Sequence, residues 1–231
     1  MSSVLVSGAV YSYGGRPAVQ DISLVFQPGI HTVLTGANGS GKSTLLALAA
    51  GVVKPHSGTV TVTSGHRPAF VIQHTRTSES LPCTVQQAVE MGRWAHRRSL
   101  LPLRPHDRTM VQAAMERMGI ADLRRRQLVE LSGGQRQRTL IAQGLAQEAD
   151  ILILDEPTAG LDKSAHQLIR AAVDQELARG VTVIESSHSP EDIERADRVI
   201  TLDSGRVISD TGPSHTLDRL PGSTIGTTLA S

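Results

Sequence analysis

A single cysteine, Cys83, excludes an internal disulfide. No apolar stretch approaches the roughly 18 residues of a membrane span, so any role at a membrane must run through a partner. The opening residues Met1-Ser2-Ser3-Val4 lack the basic and apolar regions of a signal peptide, which with the lone cysteine predicts a cytoplasmic location. Aromatic residues are scarce, namely Tyr11, Tyr13, Phe26, Phe70 and Trp94. Leu, Val, Ile and Ala must therefore fill the core, and an aromatic platform for stacking nucleic-acid bases is excluded. A formal net charge of +1 removes the whole-molecule case for a direct nucleic-acid partner. Lysine is rare too, with Lys42, Lys54 and Lys163 set against a large excess of arginine. Internal repeats are absent. What remains is an ordinary composition in 231 residues, enough to bury a sizeable core as one domain over 1–231.

Within that composition, Gly36-Ala37-Asn38-Gly39-Ser40-Gly41-Lys42-Ser43-Thr44 matches the phosphate-binding pattern G-x-x-x-x-G-K-[ST]. In such a loop, glycine-freed backbone N–H groups surround phosphates and the lysine supplies a compact charge. Its context agrees, with Ile30 to Leu34 reading as a strand before it and Thr44 to Ala50 as a helix after it.

Alternation predicts strands at Val4 to Val10 and Asp21 to Phe26 around a Gly14-Gly15 turn, and at Gly58 to Thr63, which together make a small antiparallel layer. Ala69 to Ile72 reads as a buried strand ending at Gln73. From about 77 to 147 the apolar spacing is helical, as in Val85, Ala88, Val89 and Val111, Ala114, Met115, Met118. Ile151 to Leu154, a helix over Ser164 to Arg179, and Val181 to Ile184 form a parallel βαβ unit, so the core is an α/β sheet. Asp203-Ser204-Gly205 predicts a hairpin, and the residues from about 214 to 231 read as a loose tail.

Asp155 and Glu156 end the apolar strand, at the sheet edge where α/β folds bind ligands. Near a bound phosphate, Asp155 would hold Mg²⁺ through water and Glu156 would polarise the attacking water. Ser132 and Gln135 fit a helix capping box, but the adjacent Gly133 and Gly134 exceed what a cap needs and offer a second anion site. Two phosphate sites in one chain point to two chains sharing nucleotides.

Taken together, the motifs resemble those of the ATP-binding subunits of ABC transporters. They occur in the family's order: Tyr13, the loop from Gly36 to Thr44, Gln73, Leu131 to Gln135, Asp155-Glu156, Ala159-Gly160-Leu161-Asp162, and His188. The resemblance implies an ABC-type P-loop ATPase fold, with a RecA-like core, an N-terminal antiparallel β subdomain and an inserted helical subdomain. It also implies a head-to-tail dimer in which ATP lies between the loop of one subunit and Ser132, Gly133, Gly134 and Gln135 of the other. Tyr13 would stack on adenine, with Tyr11 an open alternative. Gln73 and Ser43 would join Asp155 at Mg²⁺, His188 would contact the γ-phosphate, and Asp162 would communicate across the dimer.

Two departures stand out. Gln143 replaces a common arginine and is followed by Gly144, which lowers helix propensity by roughly 0.5–1 kcal/mol relative to alanine. Glu185-Ser186-Ser187 replaces a more apolar run and sets a carboxylate near the switch at His188.

The segment from Arg93 through Trp94, His96, Arg97 and Arg98 is basic, and is either a solvated face or a surface turned to membrane subunits. Val89-Glu90-Met91-Gly92-Arg93, followed after a loop by Asp107, resembles importer ATPases for metal ions and metal chelates. That resemblance implies zinc or manganese as cargo, with iron-siderophore, haem or cobalamin import as alternatives, and an ABC exporter or a non-transport ABC ATPase further off. It also implies an integral membrane permease, a substrate-binding protein, and a place on the inner face of the membrane through the permease.

Overall fold

The structure, a computed structural model, describes residues 2–72, 82–96 and 102–212. Gln73, Arg97, Arg98 and the tail from 214 lie outside the described residues. Strands β1 (Ser3–Tyr13) and β2 (Arg16–Phe26) form a hairpin. Gly14 and Gly15 both take positive φ in its turn, the conformation whose twist matches the flanking strands. Strand β4 (Ser57–Thr63) pairs with the other edge of β1, giving an antiparallel layer in the order β2-β1-β4. Both hairpin strands extend further than the apolar alternation marks, because ladder pairing carries them to the turn.

The second sheet has the order β5-β6-β7-β3-β8-β9. Its strands are β3 (His31–Thr35), β5 (Ala69–Val71), β6 (Ile151–Asp155), β7 (Thr182–Ser186), β8 (Arg198–Asp203) and β9 (Arg206–Asp210). All pair in parallel except the β8–β9 hairpin. Every residue of β6 and β7 is buried, as strands covered on both faces require. Helix α1 (Lys42–Ala49) lies between the sheets, where Leu45, Leu46 and Leu48 join Phe26, Ile22, Ile153 and Ile184 in one core. Each such side chain contributes about 1.5–3 kcal/mol on burial.

The helical region holds α2 (Val85–Met91), a 3₁₀ turn over Gly92–His96, α3 (Pro105–Arg117) and α4 (Gly133–Ala146). Met115, Met118, Ile141 and Leu145 join Val85 and Val89 in a second core, which continues onto Val71, Leu152 and Leu154 of the sheet. Helix α5 (Lys163–Ala178) is the crossover from β6 to β7, and α6 (Pro190–Arg195) follows β7.

Two expectations from the sequence change here. Gly144 is a spacing device as well as a weak helix former: a Cβ at that position would sit 2.6 Å from Val71 Cγ2, so glycine lets α4 approach β5. Gly144→Ala should therefore lower the melting temperature. Overpacking costs about 1–3 kcal/mol, against the roughly 1 kcal/mol gained in helix propensity. Thermal unfolding measures the balance, and an unchanged or raised midpoint would show that the contact yields freely.

Arg93 is the second case, since it is not part of a solvated basic face. It is 4% exposed, and its Nε donates to Asp107 Oδ1 at 3.0 Å. Its Nη1 donates to Ala146 O at 2.8 Å and Glu148 Oε2 at 2.7 Å. Asp107 also accepts from the Arg104 N–H at 2.9 Å. The Gly92-Arg93 to Asp107 spacing thus ties the 3₁₀ turn to the start of α3 and the end of α4. Trp94, next in sequence, is 58% exposed.

Candidate nucleotide site

Because β3 lies beside β7 and β7 beside β6, the carboxyl ends of these three strands share one edge of the sheet. The Gly36–Gly41 loop leaves β3, Asp155 and Glu156 leave β6, and His188 follows β7. Gly36, Gly39 and Gly41 all have positive φ, a region that glycine enters freely. A Cβ on Gly36 would strike the Leu202 carbonyl and one on Gly41 the Ala18 carbonyl, so β8 and β2 clamp the loop from behind. Lys42 Nζ donates to the carbonyls of Gly36 at 2.7 Å and Ala37 at 3.1 Å, holding its charge across the loop it closes. Ser40 Oγ is buried without a hydrogen-bond partner.

Tyr13, Arg16, Pro17, Ala18, Asn38, Gly39, Gly41, Lys42, Ser43, Thr44 and Glu156 line a cleft of about 460 Å³ over this loop. Tyr13 is 54% exposed there, whereas Tyr11 stacks on His56 with ring centroids 4.7 Å apart. Tyr13 is thus the ring on the cleft, and Tyr11 supports it edge-on at 5.0 Å.

Asp155 is buried and its Oδ1 accepts from Ser186 Oγ at 2.6 Å. Glu156 has φ +44°, in the left-handed region, and its Oε1 stands 3.5 Å from His188 Nε2. Both neighbours of His188 are tied down. Ser187 Oγ donates to Asp192 Oδ2 at 2.8 Å, and Arg170 donates to Asp192 Oδ1 at 2.8 Å and to Ser189 Oγ at 3.2 Å. Sequence reasoning marked Ser186 only as part of a polar run and gave no signal for Arg170 or Asp192, which reach the switch from α5 and α6.

Glu185, the carboxylate that the sequence sets near the switch, has a partner on another strand. Both faces of β7 are covered, and on its own face Glu185 meets His31 Nε2 at 3.0 Å in a pair with both side chains under a tenth exposed. Burial alone would lower the His31 pKa. The hydrogen bond to Glu185 and the charges of Glu185, Asp197 and Asp192 outweigh it and hold the value above the ordinary imidazole range.

Ser132 caps α4: its Oγ accepts from the Gln135 N–H at 3.2 Å, while Gln135 Oε1 accepts from the Ser132 N–H at 3.0 Å. Gly133 has open space where a Cβ would stand, and Gly134 abuts Leu161. None of Ser132, Gly133, Gly134 or Gln135 lines the cleft over Lys42. Asp162 caps α5, accepting from the Ala165 N–H at 2.8 Å and the Ser164 hydroxyl at 2.7 Å, bonds that hold its carboxyl below the usual range.

Among the described residues no group of three His, Cys, Asp or Glu side chains could hold a metal ion by itself. The exposed hydroxyl of Ser43 and the carboxylate of Asp155 are oxygen groups of the kind that Mg²⁺ takes as ligands. No helix of the described residues is long and apolar enough to cross a membrane.

Residues 19–159 match the sequence profile of the ABC transporter family. The zinc import ATP-binding protein ZnuC of Alcanivorax borkumensis is 40% identical over 161 residues, covering 69% of this chain and 58% of that protein. The chain thus spans under two thirds of that relative's length. The phosphonates import ATP-binding protein PhnC 3 of a Nostoc species is 35% identical over 215 residues, covering 85% of this chain and 81% of that protein. A solved inward-facing conformation of a metal-chelate type ABC transporter superposes with a TM-score of 0.76 at 28% identity, covering 89% of this chain and 81% of that one.

Proposed function

We infer the function of this chain from its family, since it belongs to the ABC transporter family of ATP-binding proteins. We propose that it is an ATPase subunit that powers a membrane permease. The observation that carries this is the convergence of Lys42, Asp155, Glu156 and His188 at one sheet edge, with Lys42 and Glu156 lining the same cleft.

In this reading the loop's backbone N–H groups and Lys42 bind the phosphates of ATP, while Tyr13 stacks on the adenine. Mg²⁺, when bound, offsets phosphate charge, and Ser43 and Asp155 would hold it, Asp155 through water, with Gln73 joining from outside the described residues. Glu156 accepts a proton from the attacking water, and His188 donates a hydrogen bond toward the transferred phosphoryl group. Ser132 to Gln135, at the capped start of α4 and on a different element from the Lys42 loop, would act in trans, toward nucleotide held by a second copy of the chain. Asp162, at the exposed start of α5, would then relay across that interface.

We propose zinc or manganese import, with a substrate-binding protein upstream and the chain held on the inner membrane face by its permease. The support is the zinc-import relative and the metal-chelate type structure. The phosphonates-import relative favours a second reading, oxyanion import. Reconstitution with the permease and binding protein that co-purify with it separates the two: ATPase stimulation and uptake with zinc or manganese support the first reading, phosphonate uptake the second, and neither overturns import.

Permease docking has its own test. Trp94 is exposed on the 3₁₀ turn, so Trp94→Ala removes little internal packing. A buried aromatic anchor at an interface is worth about 2 kcal/mol or more. Trp94→Ala should weaken co-purification with the permease at least tenfold, with the melting temperature and ATP affinity of the isolated subunit unchanged. Undiminished assembly would move the docking surface elsewhere.

A further inference from the structure

Resting on the reading of Glu156 as the base, we propose that Ser186 is a positioning residue for it. Ser186 closes β7 directly opposite Asp155 in the parallel register and is fully buried. Its Oγ sits 2.6 Å from Asp155 Oδ1 and 2.8 Å from the Glu156 backbone nitrogen. An ionised carboxylate only accepts and an amide N–H only donates, so the hydroxyl proton must go to Asp155 and an oxygen lone pair to Glu156. One side chain thus bonds to the side chain of Asp155 and to the backbone of the neighbouring base.

Glu156 needs such a restraint. Its φ of +44° is a conformation that residues other than glycine seldom adopt, and Pro157 restricts it further. A conformation of this kind persists only where the surroundings over-determine it. Here the Ser186 hydroxyl holds the peptide nitrogen, which fixes where the carboxylate begins its reach into the cleft. A misplacement of about 1 Å can cost on the order of a hundredfold in rate.

The test uses the full chain with Ser186→Ala and Ser186→Thr, each alone and combined with Glu156→Gln. Ser186→Ala should lower kcat at least tenfold, with KM and calorimetric ATP affinity within twofold of wild type, and Ser186→Thr, which keeps the hydroxyl, should restore kcat to within about threefold. In the Glu156→Gln background Ser186→Ala should add no further loss, because the group it positions is already gone. Should the alanine variant melt early, Ser186→Cys, with similar volume and a weak donor, should show the same kcat loss. Wild-type kcat in Ser186→Ala, an inactive Ser186→Thr, or an additive loss in the double variant overturns the positioning role while leaving Glu156 as base. Wild-type turnover in Glu156→Gln alone overturns the base and this inference with it.

Discussion

Glu156→Gln should cut ATP turnover by two orders of magnitude or more while leaving ATP affinity near wild type. The substitution keeps the side-chain volume and the backbone bond from Glu156 N–H to Ser186 Oγ, so the left-handed turn at the end of β6 survives. What is lost is the negative charge that draws a proton from the attacking water, and general-base assistance of this kind contributes roughly 10²–10⁴-fold. The phosphate cradle is built from other residues, with Lys42 held by the Gly36 and Ala37 carbonyls and the loop glycines backed by β8 and β2. Loss confined to kcat is the expected signature of an interaction made in the transition state. Bound but unhydrolysed ATP should then hold two copies together, visible as a doubled mass in light scattering. Normal turnover would remove Glu156 from the chemistry.

Ser132→Arg should abolish that ATP-dependent dimer, measured by light scattering in the Glu156→Gln background, without changing the ATP affinity of the single chain. Two effects must be separated. Ser132 Oγ caps α4, and losing an N-cap costs about 1 kcal/mol of stability, which a modest fall in melting temperature would report. That cost is too small to unfold a domain of this size. The larger effect is steric: a long side chain would occupy the helix N-terminus beside the open space at Gly133, where a phosphate of the other copy is expected. Ser132 lies outside the lining of its own chain's cleft, so binding in cis has no reason to change. Dimerisation of the variant to the same extent as the parent would reject the shared-nucleotide arrangement.

What the sequence by itself determined was the chemistry that contiguous residues can declare. The phosphate loop was legible because its glycines, lysine and flanking strand and helix are neighbours along the chain, where local backbone preferences act. The parallel unit around β6 and β7 was legible because the apolar Ile151 to Leu154 and the largely apolar Val181 to Ile184 flank a helical stretch. The family resemblance came from the order of such local signals, and the profile match over residues 19–159 agrees with it.

Only the tertiary structure decided matters set by partners distant in sequence. Glu185, near the switch in the chain, pairs with His31 because β3 lies beside β7 in the sheet. Arg93 looked like one charge in a basic run, yet it is internal because α3 and α4 bring Asp107 and the Ala146 carbonyl to it. Gly144 looked like a defect in a helix until Val71 of β5 filled the space beside it. Tyr13 was preferred over Tyr11 only for its place before the Gly14-Gly15 turn, and the fold shows Tyr11 stacked on His56 and Tyr13 on the cleft. The physical reason is common to all four: propensity and motif chemistry act over a few bonds and are written in neighbouring residues. Burial, pairing and close approach are set by which segments the folded chain brings together, and no stretch of adjacent residues carries that information.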